Sequence, residues 1–242
     1  MWVCQREYQT VFTATGLPTK FGQVDSGRSS LSKKNIVVVD TGAGNIPSVF
    51  RALRAIDSSI SVSLEKRAIK AANALVLPGV GAFPKFMENL ESRGLTELVS
   101  RFIQNGGELL GICVGMQALT SGSEEFVYTD GLGAITATVR NLAELGVKNM
   151  RIPNVGWNEV NLSDQLGSRH PLRLIEKRHV YFMHSYAVPY DAPGQIGWTN
   201  YEVDFCSAVQ VNNAIGVQFH PEKSHKVGRD FLAAWITSTN CR

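Results

Sequence analysis

Glu108-Leu109-Leu110-Gly111-Ile112-Cys113-Val114-Gly115-Met116-Gln117 is the stretch that decides the fold of this 242-residue chain. Residues 108–112 read as a strand, uncharged after Glu108, that runs into Cys113, and the pattern from 114–119 opens a helix. A buried strand before such a helix suits a parallel sheet covered on both faces. A sharp strand-to-helix turn pushes its central side chain, here Cys113, out at the carboxyl edge of the sheet. Glycine two residues to either side removes the Cβ atoms that would collide in such a turn. The free N–H groups and dipole of the following helix then face the sulfur and favour its thiolate. A cysteine between two glycines can also be plain core, because free cysteine often behaves as a small hydrophobe. Its place at the carboxyl end of a strand, where open α/β sheets put their sites, favours a nucleophile.

Upstream, the same alternation of strand and helix repeats. Ile36-Val37-Val38-Val39 is an apolar, β-branched run that ends in the turn Asp40-Thr41-Gly42-Ala43-Gly44-Asn45. Asn45 can cap the next helix, Pro47 suits its first turn, and Val49, Leu53 and Ile56 make its apolar stripe. Residues 60–64 and Ala74-Leu75-Val76-Leu77 read as further strands, the second closed by Pro78-Gly79. Residues 83–104 read as helix, interrupted near Gly94. Downstream, strands dominate: 150–152, 157–161, 180–186, 195–199, 205–211 and 215–220, with a closing helix over about 226–236. The expected fold is a doubly wound, mostly parallel α/β sheet flanked by helices, with an antiparallel, strand-rich addition in the second half. The chain shows no internal repeat and no linker between its halves.

Composition narrows the class. The chain is 44% hydrophobic and 19% charged, which suits a globular domain. No apolar run approaches the roughly 20 residues of a membrane span. The net charge of +3 lies wholly in residues 1–34, which carry Arg6, Lys20, Arg28, Lys33 and Lys34 against Glu7 and Asp25. The remainder is neutral, which argues against nucleic-acid binding through dense basic patches. Cys4, Cys113, Cys206 and Cys241 form no CxxC pair and no Cys/His cluster with zinc spacing, so neither a metal nor a disulfide framework is expected. A reducing, cytoplasmic setting follows. Residues 1–34 read as an N-terminal extension, disordered or non-native, ahead of a domain at 35–242; targeting to an organelle is the less favoured reading of their basic, hydroxylated composition.

The partner for the cysteine lies near the end of the chain, in Gly216-Val217-Gln218-Phe219-His220-Pro221-Glu222-Lys223-Ser224. Proline stops a ladder, so His220 should sit at a strand end. His220 and Glu222 are two residues apart and can project to one side. One imidazole nitrogen can then meet the sulfur while the other donates to the carboxylate, which fixes the tautomer and stabilises the imidazolium. Most His/Glu neighbours are simply surface residues. Among five histidines the rival base is His184, and the carboxylate beside His220 decides for His220.

A cysteine turn first and His-Pro-Glu last is the order found in class I glutamine amidotransferases. Leu77-Pro78-Gly79-Val80-Gly81-Ala82-Phe83, Gly111 to Gln117, Ser123-Glu124-Glu125, Gly131-Leu132-Gly133, Val155-Gly156-Trp157-Asn158, His184-Ser185-Tyr186 and Gln218 to Ser224 follow in sequence. From Asn35 onward the chain resembles the glutaminase subunits of imidazole glycerol phosphate synthase, an enzyme of histidine biosynthesis. Met116-Gln117 in place of His-Gln, and Lys223 after His-Pro-Glu, favour this group over amidotransferases of the anthranilate and carbamoyl phosphate type. Val114, where leucine is commoner, and Pro84-Lys85 depart from its pattern.

The resemblance implies hydrolysis of glutamine through a Cys113 thioester, with no cofactor. The tetrahedral oxyanion needs N–H donors, for which Val114 and Val80 are the candidates; Gly79 and Gly81 let the backbone come close to the substrate. Gln117, Ser185 and Tyr186 are the implied glutamine-binding residues, while Met116 and Trp157 read as packing. The implied partner is a separate (β/α)8-barrel cyclase, docked near the triad with Asn45 and Lys223 as contacts. Another cysteine hydrolase of this fold, such as a γ-glutamyl hydrolase, is the alternative.

Overall fold

The computed structural model describes residues 35–42 and 45–239. The readings of residues 1–34, and of Ala43 and Gly44, lie outside the described residues. The order of elements is β1 (Ile36–Val39), α1 (Ile46–Arg54), β2 (Ser61–Ser63), α2 (Lys66–Lys70), β3 (Ala74–Gly79), α3 (Phe83–Ser92), α4 (Thr96–Gln104), β4 (Glu108–Cys113) and α5 (Val114–Gln117). Then come β5 (Thr120–Ser123), β6 (Thr129–Asp130), β7 (Ile135–Asn141), β8 (Asn154–Leu162), β9 (Arg178–His184), β10 (Tyr186–Pro189), β11 (Gln195–Tyr201), β12 (Val203–Val211), β13 (Ala214–Val217) and α6 (His225–Thr239). Short 3₁₀ turns cover Pro171–Ile175 and Pro221–Lys223.

One sheet runs β2-β1-β3-β4-β13-β12-β10-β7-β5-β6 among the described residues, and β12 also carries a branch through β11 and β8 to β9. The first five strands are parallel. From β12 onward antiparallel pairing takes over, apart from the parallel pair β5–β7. The expected doubly wound core with an antiparallel addition is therefore what forms.

The two kinds of strand follow from burial. Every residue of β1, β3 and β4 is buried, because helices cover both faces. β9 alternates toward its carboxyl end, with Val180, Phe182 and His184 inside and Tyr181 and Met183 facing out. α6 closes the structure by burying Phe231, Leu232, Trp235 and Ile236, and Phe231 meets Phe219 edge-on at 6.0 Å. Each fully buried side chain of this size contributes about 1.5–3 kcal/mol, so the segment leading to His220 is firmly anchored.

Several local readings change. Asn45 precedes α1 but its side chain makes no capping bond. The helix after Cys113 stops at Gln117, because the Thr120 hydroxyl donates to the Gln117 carbonyl and the chain turns into β5. The stretch 150–152 is no strand; Pro153 follows it, and the Met150 N–H bonds the Glu202 carboxylate instead of a ladder. The strand expected at 180–186 breaks at Ser185, dividing β9 from β10. β13 ends at Val217, three residues before His220, since the N–H groups of Gln218 and His220 turn to the carbonyls of Ser207 and Tyr181.

Candidate active site

β4 delivers Cys113 into the turn with φ 55° and ψ −111°. A positive φ strains any side chain with a Cβ, at a cost of roughly 1–3 kcal/mol, and persists only where the surroundings enforce it. Here they do. A Cβ on Gly115 would lie 1.8 Å from the Leu77 carbonyl oxygen of β3, and one on Gly111 would lie 2.7 Å from the Gly115 oxygen. The two glycines let β3, β4 and α5 close around the turn, and the strain falls on Cys113.

His220 and Glu222 meet the cysteine from the other side of β4, beyond the end of β13. The His220 Nδ1 and a Glu222 carboxylate oxygen are 2.9 Å apart, and both side chains are essentially excluded from solvent. The His220 main chain is fixed twice: its N–H donates to the Tyr181 carbonyl, and its carbonyl accepts from the Ser224 hydroxyl. Nε2 is buried and makes no complete hydrogen bond among the described residues. The Cys113 sulfur still acts on it: burial disfavours the imidazolium, but Cys113 and Glu222 outweigh burial and push His220 up to about 9. In this arrangement the imidazole can exchange a proton with the sulfur while the carboxylate orients the ring.

A cavity of about 200 Å³ opens beside the sulfur, lined by Val80, Gly81, Cys113, Val114, Gln117, Glu125, Pro153, Met183, His184, Ser185 and Tyr186. Val80, Gly81, Val114, Gln117, Ser185 and Tyr186 thus line one cavity. Gly81 has φ +91° with open space where a Cβ would be, a conformation that glycine adopts freely. Gly79 is different. It lies within β3 and not on the cavity, and a Cβ there would strike the Gly115 nitrogen at 2.7 Å and the Val114 Cβ at 2.9 Å. Its missing Cβ lets β3 pack closely against α5.

Gln117 donates to the Tyr186 carbonyl at 2.9 Å and to the Gln218 side chain at 3.0 Å. Gln218 in turn reaches the Cys113 sulfur at 3.6 Å. Sequence reasoning passed over Gln218, although its place two residues before His220 marks the same face of an extended chain. Glu125 was also missed as a chemical group: its carboxylate accepts the Phe83 N–H at 2.7 Å, and burial raises its pKa. His184 is a wall of the cavity. Burial lowers it to about 4, its Nδ1 is 2.9 Å from the Tyr186 carbonyl, and its Nε2 is 3.3 Å from the Asn154 amide.

Asn45 and Lys223 are both only partly buried, and α1 packs against the Pro221–Lys223 turn. The Lys223 ammonium sits 5.5 Å from the Tyr181 ring centre. Beyond it, Val155, Trp157 and Met183 expose apolar surface on β8 and β9. Met116 is buried, as a packing residue should be, whereas Trp157 is exposed, stacking on His225 at 5.0 Å and meeting Tyr181 edge-on at 5.9 Å.

The family pattern of the class-I glutamine amidotransferases matches residues 37–236. The chain belongs to this family. Within the class-I amidotransferases it groups with the HisH subunits of imidazole glycerol phosphate synthase. It is 39% identical to that subunit of Lactococcus lactis over 84% of this chain and 98% of the relative, and 40% identical to that of Symbiobacterium thermophilum over 83% and 92%. Among solved structures, a glutamine amidotransferase superposes with a TM-score of 0.64 over 85% of this chain and 99% of its own, at 17% identity. PurLQS from Thermotoga maritima gives 0.60 over 86% and 98%, at 14% identity. These two likenesses bear on the fold alone. Among the described residues, no helix of this amidotransferase is long and apolar enough to cross a membrane.

Proposed function

We propose that this amidotransferase is the glutaminase subunit of an imidazole glycerol phosphate synthase and works through a Cys113–His220–Glu222 triad. The observation that carries the reading is the strained Cys113 at a cavity mouth, with the buried His220–Glu222 pair acting on its sulfur. The Cys113 thiolate attacks the γ-carbonyl carbon of glutamine. His220 Nε2 then gives its proton to the departing nitrogen, which leaves as ammonia, and a thioester remains. Water, deprotonated by His220, opens the thioester to glutamate and restores the sulfur. Both tetrahedral intermediates carry an oxyanion, for which the N–H groups of Val80 and Val114 are the nearest backbone donors on the cavity. Glu125 offers a carboxylate to the substrate's α-ammonium, and Gln117, Ser185 and Tyr186 complete the site.

Ammonia released at neutral pH is quickly protonated and lost as a nucleophile, so it needs a sheltered path into the enzyme that consumes it. The proposed receiver is a (β/α)8-barrel cyclase subunit, docked over the exposed strip of Val155, Trp157 and Met183 with Lys223 and Asn45 at its edges. The functional unit in this reading is residues 35–242, with 1–34 as an extension. The relatives favour an amidotransferase over a γ-glutamyl hydrolase.

Titration of the cyclase, loaded with its nucleotide substrate, into a glutaminase assay tests the whole proposal. Low basal turnover should rise on binding, and Cys113→Ala should abolish turnover while ammonia-dependent synthesis survives. A chain beginning near Lys33 should behave as the full chain does. Full turnover without any partner, or comparable turnover by Cys113→Ala, would sink the reading.

A further inference from the structure

The turn between β11 and β12 reaches across the molecule to a segment far away in sequence. The Glu202 carboxylate accepts from the backbone N–H groups of Lys148 and Asn149, each at 2.9 Å, and of Met150 at 3.1 Å. It also accepts from the Asn149 side-chain amide. The neighbouring Tyr201 hydroxyl donates to the Arg151 carbonyl at 2.7 Å. Among the described residues these are all the hydrogen bonds that residues 148–152 make. The five side chains of that segment are exposed, so apolar burial does not hold it either.

The segment leads directly into the cavity. Pro153, the next residue, is a wall of the site, and Asn154 after it bonds His184, another wall. Glu202 itself has φ +66°, a conformation that costs a residue with a Cβ and that glycine would adopt freely. The Asn149 and Lys148 N–H groups hold its carboxyl down to about 2, so it is ionised at any working pH. Hydrogen bonds to a charged acceptor are the stronger class. A strained glutamate with its carboxylate full of backbone donors fits a clamp better than an incidental turn residue.

We propose that Glu202 and Tyr201 are positioning residues that set the Pro153 wall of the glutamine cavity by pinning residues 148–152. The inference rests on the glutamine reading of that cavity. It concerns substrate binding rather than the bond-breaking step, since neither residue lies on the cavity.

Glu202→Gly separates a clamp from a turn, because glycine suits the backbone conformation and removes the carboxylate. The full chain with its cyclase partner is assayed for glutaminase kinetics, alongside amide hydrogen exchange and thermal melting. Glu202→Gly should raise KM for glutamine about 5-fold with kcat nearly unchanged. Exchange at Lys148, Asn149 and Met150 should quicken about 10-fold while the core strands keep their protection. Glu202→Gln, which keeps an acceptor oxygen, should fall between the two, and Tyr201→Phe should raise KM about 2-fold. Unchanged KM overturns the proposal, whether or not exchange quickens or melting falls. So does a lower kcat at unchanged KM. A wild-type complex with no glutaminase activity would instead overturn the glutamine reading, while the exchange data would still report on the clamp.

Discussion

The parallel half of the sheet and its antiparallel extension divide the work of this molecule. In the parallel half, β3, β4 and β13 bury every residue, and the turns beyond them carry Cys113, His220 and Glu222. In the extension, β8 and β9 keep one face in solvent, and they and their loops contribute Pro153, Met183 and the exposed Val155 and Trp157. Strands packed on both faces resist shifting, so in the proposed mechanism they hold the reacting atoms to a fixed geometry. Strands packed on one face leave a surface free for a partner and loops that can be adjusted by a few hydrogen bonds. Under the proposed function, the division teaches where rigidity is needed: at the bond to be broken, more than at the wall of the pocket or the proposed docking strip.

Four substitutions press on that division. The largest effect is expected at Gly115→Ala, whose Cβ would enter the Leu77 carbonyl. Overpacking of this kind should cost about 3 kcal/mol, read from the urea midpoint. Gly167 in the extension has no atom within 4 Å of its Cβ position, and Gly167→Ala should be neutral. If both glycines tolerate alanine equally, the parallel half is not the rigid partner.

Glu222→Gln should lower kcat about 100-fold while KM stays within about 3-fold, since it disturbs the imidazolium and not the cavity. It should also change the dependence of stability on pH. His220, held at about 9 against its ordinary 6.5, stabilises the fold fully below pH 6.5, and that contribution is lost as pH rises through about 9. Without Glu222 the raised value falls, so the loss should be smaller and complete at lower pH. Melting temperatures of both chains between about pH 6 and about pH 10 check this, and identical profiles would detach Glu222 from His220.

The smallest effect is expected on the exposed strip. Val155→Asp should weaken cyclase binding about 10-fold and leave basal glutaminase activity alone. Isothermal titration with the cyclase subunit decides it, and unchanged affinity would move the docking surface elsewhere.

The sequence by itself determined the parallel core and the reactive turn. Runs such as Ile36-Val37-Val38-Val39 and Ala74-Leu75-Val76-Leu77 are apolar at every position because both faces are covered. Gly111-Ile112-Cys113-Val114-Gly115 is legible because the turn leaves no room for Cβ atoms, a constraint local to the chain. His220 and Glu222 were legible for the same reason, two residues apart beside a proline. Only the tertiary structure decided the rest. β5, in Thr120-Ser121-Gly122-Ser123, has no apolar signature and exists through its pairing with β6 and β7. Residues 150–152 look like a strand, yet their partners are Tyr201 and Glu202, some fifty residues away. Gly79 reads in sequence as a loop glycine, and only the fold sets Gly115 and Val114 against it. In each case the deciding interaction joins groups distant along the chain, and such distances are set by how the elements pack and not by the residues taken in order.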